Sequence, residues 1–104
     1  MKVFVKGKVD LNKAMKKVLN EVTTDLFEEV RRLTPVDTGR AQSGWEVVRG
    51  SGTNIIKNAV PYITPLNKGH SSQAPEGMTK PAVERIVQNA KSGKYNIKKR
   101  GLFK

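Results

Sequence analysis

Between Asp10 and Pro35 the apolar residues Leu11, Ala14, Met15, Val18, Leu19, Val22, Leu26, Phe27, Val30 and Leu33 recur at steps of three and four. This is the stripe of one long amphipathic helix. Asp10 is the expected N-cap, and Pro35 closes the far end because a residue preceding proline is pushed out of the helical region. A helix of about 22 residues is about 33 Å long, whereas a compact chain of this size has a radius of gyration of about 13 Å. The other parts of a 104-residue chain must therefore pack along this one rod, which predicts a single domain with one small core. The opposite helix face carries Asn20, Glu21, Asp25, Glu28, Glu29, Arg31 and Arg32 and reads as solvated. Glu28 and Arg32 are spaced for an i,i+4 ion pair.

Extended segments flank the rod. Val3 and Val5 alternate with Lys2, Phe4 and Lys6 up to Gly7, the pattern of an edge strand guarded by lysines. Thr34-Pro-Val-Asp-Thr-Gly-Arg40 reverses the chain: Pro35 fixes one φ, Asp37 can accept from a backbone N–H further on, and Gly39 permits a positive φ. Residues 43–49 and 53–58 are strand candidates around Gly50-Ser51-Gly52, which suits a hairpin, with Trp45 and Val47 on one face and Glu46 and Val48 on the other. Thr79 is the expected N-cap of a second helix, with Pro81 in its first turn and Ala82, Val83, Ile86, Val87 and Ala90 as its apolar stripe up to Ser92-Gly93. The fold class is therefore α+β: a short N-terminal strand, a long amphipathic helix, a small antiparallel β-sheet with a hairpin, and a second, C-terminal helix. Residues 1–93 form the expected domain and 94–104 a basic C-terminal tail.

Residue types exclude much chemistry. Cysteine is absent and His70 is the sole histidine, which leaves no thiolate and no multi-histidine metal site within one chain. His70 adjoins Ser71 and Ser72, but adjacency in sequence does not supply triad geometry, so His70 reads as a loop contact. Gly50-Ser51-Gly52 lacks the lysine-serine ending of a phosphate loop. A chain that is not an enzyme and takes no cofactor or metal is the expectation. The net charge is +11, yet residues 18–90 hold eight basic against eight acidic side chains, so the excess sits at the two ends. Lys94, Lys98, Lys99 and Arg100, with Tyr95 and Phe103 as stacking groups, are basic contact candidates, and a small basic nucleic-acid-binding protein is the alternative function. No run approaches the about 20 apolar residues of a membrane span, and the N-terminus alternates where a signal peptide would be continuously apolar. A soluble protein made and kept in a cytoplasm, without a membrane partner, is expected.

Residues 61–78, Pro-Tyr-Ile-Thr-Pro-Leu-Asn-Lys-Gly-His-Ser-Ser-Gln-Ala-Pro-Glu-Gly-Met, hold three prolines and two glycines and read as a built loop with short structured pieces. Taken with TPVDTGR at 34–40 and PAVERI at 81–86, in this order, the chain resembles the neck or tail-completion proteins of tailed bacteriophages, over about residues 1–90. Pro35, Asp37, Thr38, Gly39 and Arg40 match one family motif; Tyr62, Gly69, Ser71, Gln73, Ala74 and Pro75 match another. The resemblance implies a non-enzymatic virion component at the head–tail junction, a head–tail connector assembled in the host bacterial cytoplasm. It implies a six-fold ring of copies around the DNA channel, with other neck, head-closure and tail proteins as partners and non-specific contact with genomic DNA open to the basic ends. Arg40, Tyr62, Gly69, His70, Ser71, Gln73, Pro75 and Met78 are the assembly-interface candidates. Gly69→Val and Pro75→Ala are expected to damage assembly more than the monomer's fold.

Overall fold

The long helix forms and the other elements lie along it. The computed structural model describes residues 1–7, 13–35, 39–50, 52–69 and 74–95. Helix α1 spans Lys13–Leu33, 21 residues, with Val18, Leu19, Thr23, Leu26 and Val30 buried. Met15, Val22, Phe27 and Leu33 are half-buried and Ala14 is exposed, while Asp10 and Leu11 lie outside the described residues. The helix stops at Thr34, whose hydroxyl donates to the Val30 carbonyl and accepts from the indole Nε1 of Trp45 at 2.8 Å. One side chain thus ends the helix and satisfies the buried Trp45 N–H.

Strands β1 (Lys2–Lys6), β2 (Trp45–Arg49) and β3 (Thr53–Asn58) form one antiparallel sheet in the order β1-β3-β2. The register aligns Val3, Ile56 and Val47 on the face toward α1, and Phe4, Ile55 and Val48 on the face away from it. Trp45 is buried, and Val48 is exposed, as the alternation required. The strand expected from residue 43 begins at Trp45 instead, because Arg40–Ser43 wind into a helical turn, α2, closed by Gly44 N–H donating to the Arg40 carbonyl at 3.0 Å.

The inner sheet face is not wholly apolar, since Asn54 and Asn58 of β3 are fully buried. Asn54 Nδ2 donates to Thr23 Oγ1 at 2.9 Å and to Asn20 Oδ1 at 3.1 Å, and its Oδ1 accepts from Gly50 N–H at 3.1 Å. Each bond spares the core an unsatisfied polar group, which costs about 1–3 kcal/mol. Thr23, at a stripe position of α1, is the acceptor that lets an amide face the helix.

Helices α3 (Ile63–Asn67) and α4 (Thr79–Lys91) complete the molecule, which measures 41 × 26 × 17 Å. Helix α4 packs against α1 and buries Ala82 and Ile86. Three expectations about surface residues change. Thr79 is the first residue of α4; Met78 holds the N-cap position, and its side chain makes no capping bond. Arg32 pairs with Glu29 at 2.8 Å, the residue three back, and Arg85 reaches the same carboxylate at 3.5 Å. Asp25 is half-buried and pairs with Lys94 and Tyr95.

Candidate assembly surface

Arg40 and Tyr62, one from each segment of the resemblance, meet next to the end of β3. Gly39, at φ 73°, starts α2 and delivers Arg40 at its first position. The Arg40 guanidinium lies 6.0 Å from the centre of the Tyr62 ring, a cation–π contact between exposed side chains. Underneath, Asn58 Nδ2 donates to the Ala41 carbonyl at 2.8 Å and its Oδ1 accepts from Val60 N–H at 2.9 Å, so the end of β3 holds α2 and the next loop together. Gly44 makes this approach possible: a Cβ there would stand 2.7 Å from Val60 Cγ2 and 2.9 Å from Asn58 Oδ1. Such contacts are closer than side chains tolerate.

From Tyr62 the chain enters α3, burying Ile63 and leaving Pro61, Tyr62, Thr64 and Pro65 exposed. The segment then returns on itself. Gly69 and Gly77 have φ of 89° and 79°, and a Cβ on either would collide with the carbonyl oxygen of Pro75 and of Asn67 respectively. Asn67 Oδ1 accepts from Met78 N–H at 3.0 Å, from Thr79 N–H at 2.9 Å and from the Thr79 hydroxyl at 3.1 Å. The last residue of α3 is therefore the cap of α4.

Among the named candidates, Arg40 and Tyr62 are brought together, and Pro75 is exposed. Met78 is fully buried in the chain's own core, which removes it as a side chain offered to a neighbour. Gly69 sits in a conformation that L side chains rarely adopt, against the Pro75 backbone. Gly69→Val is therefore expected to damage the fold itself, a correction to its reading as a displayed residue. His70, Ser71 and Gln73 lie outside the described residues.

Basic candidates divide the same way. Lys94 Nζ lies 2.9 Å from Asp25 Oδ2, and the Tyr95 hydroxyl donates to the same oxygen at 2.7 Å. Tyr95 is 1% exposed, so its ring is core and not a stacking platform, and the domain extends past residue 93 to include Lys94 and Tyr95. Burial by itself would raise the Asp25 carboxyl, but hydrogen bonds from Tyr95 and Lys94, with the lysine's charge, bring it below the usual value. Burial first and the Asp25 bond second push the Tyr95 phenol up. Lys98, Lys99 and Arg100 lie outside the described residues.

Among the described residues no three His, Cys, Asp or Glu side chains are grouped to hold a metal ion, and no helix is long and apolar enough to cross a membrane. Sequence reasoning missed Asn58 and Asn67, because an asparagine acting on residues far along the chain carries no local pattern. No protein-family model, curated protein or solved structure matches the chain.

Proposed function

We propose that this chain is a structural component of a tailed-bacteriophage particle, joining head and tail as a ring of identical copies around the DNA channel. The observation that carries the reading is the Arg40–Tyr62 contact, which unites the two separated segments of the resemblance in one exposed feature. A closed ring of one protein needs two different, complementary surfaces on each copy. Exposed apolar side chains lie on two surfaces: Phe4 and Val48 on the sheet face away from α1, and Val83 and Val87 on α4. Deleting the gene from a phage that carries it tests the reading, by electron microscopy of the lysate. Separate DNA-filled heads and tails are expected; normal, infectious particles would overturn it.

A further inference from the structure

A groove of about 1040 Å³ runs between the N-terminal half of α1 and the Lys94–Tyr95 segment. Its charged lining is four ammonium groups, on Lys13, Lys16, Lys17 and Lys94, against two carboxylates, on Glu21 and Asp25. Asp25 is already engaged by Lys94 and Tyr95. Lys13, Lys16 and Lys17 are exposed and make no ion pair among the described residues. Arg49 adds a fixed positive charge at the edge, donating to Asn20 Oδ1 at 2.9 Å and Thr24 Oγ1 at 3.2 Å, two residues that also line the groove.

We propose that this groove takes the sugar–phosphate backbone of duplex DNA, with Lys13, Lys16 and Lys17 as the phosphate contacts. Lys13 and Lys17 stand one turn apart, about 6 Å along the helix, with Lys16 between them in sequence. Point charges set along a line match a repeating line of phosphates, whereas planar recognition of a single carboxylate calls for an arginine fork. Among the described residues Tyr95 is the one aromatic that lines the groove, and it is buried, so no exposed ring is offered for a base to stack on, which favours a duplex over a single strand. With a net charge of +11, the whole chain attracts a polyanion from a distance. Binding of this kind needs one copy of the chain and no ring, so its failure and that of the head–tail reading are separable.

Fluorescence anisotropy with a labelled duplex, titrated at about 50 and about 200 mM salt, decides it. The unmodified chain binds with a steep salt slope. The variant Lys13→Gln/Lys16→Gln/Lys17→Gln lowers that slope by about 2.7, at about 0.9 per lost phosphate contact. A control, Lys2→Gln/Lys6→Gln/Lys57→Gln, removes the same charge from the outer sheet face and leaves most of the slope. Thermal unfolding of both variants is expected to match the parent, because all six side chains are at least partly exposed. Absence of binding at low salt, equal loss in the two variants, or tighter capture of polyglutamate than of the duplex would each overturn the assignment.

Discussion

Asn67 belongs to two helices at once, as the last residue of α3 and, through its side chain, the cap of α4. Asn67→Ala removes the acceptor for two backbone N–H groups and one hydroxyl. Loss of a cap costs about 0.5–2 kcal/mol. For a chain of this length, each kcal/mol lowers Tm by about 4–8 °C. Asn67→Asp keeps the oxygen and adds negative charge at the N-terminus of α4, so it is expected to recover most of the loss. Circular dichroism melts of the two variants make the comparison, and an equal fall in both would show that packing, not capping, is what Asn67 supplies. Gly77→Ala belongs beside them: its φ of 79° and the Asn67 carbonyl leave no room for a methyl group, and a drop in Tm at least as large is expected.

At the level of elements, α1 is joined to the chain beyond α4 by Asp25, Lys94 and Tyr95. The Asp25 carboxyl is held below its ordinary 3.8, so the stability it contributes is complete above that pH and is lost as pH falls through the folded value. The Tyr95 phenol is held above its ordinary 10.0, so its share is complete below pH 10 and is lost as pH rises beyond it. Tyr95→Phe is therefore expected to lower stability between about pH 4 and pH 10 and to converge on the parent toward acid, read from urea midpoints across the pH range. A difference that stays constant down to pH 2 would mean that the hydroxyl acts through something other than Asp25. Helices α1 and α4, strand β1 and the β2–β3 hairpin were all legible in the sequence, because period and turn residues are local. The order β1-β3-β2 was not, nor were the buried Asn54 and Asn58, since polar side chains read as solvated until their partners Thr23 and Ala41 are placed beside them. Tyr95 looks like tail for a similar reason: it stands in a lysine-rich stretch, and its anchor lies 70 residues away. Of the assembly candidates, Arg40 and Tyr62 were named from the resemblance and meet in the fold, while the burial of Met78 could only follow from the bond that ties its N–H back to Asn67.

On the head–tail proposal, the row Phe4–Ile55–Val48 and the pair Val83 and Val87 are the surfaces we propose for the contact between neighbouring copies. Phe4 is 55% exposed and Val83 40% exposed, so Phe4→Glu and Val83→Glu are expected to leave the monomer's melt nearly unchanged and to abolish rings in sedimentation. Mixing the two variants has a sharper expected outcome, because each keeps the surface the other lost. They should form a dimer and stop there; rings that survive in either variant would remove these residues from the interface. The sheet order has a separate consequence during synthesis. Strand β1 is made before the other described elements, yet every one of its strand partners lies in β3, about fifty residues later. At about 5–20 residues per second it waits about 3–10 s, with α1 completed in between. Its hydrogen-bonding edge thus stays open, with Lys2 and Lys6 beside Phe4 on the outer face, before the strand that will pair with it exists.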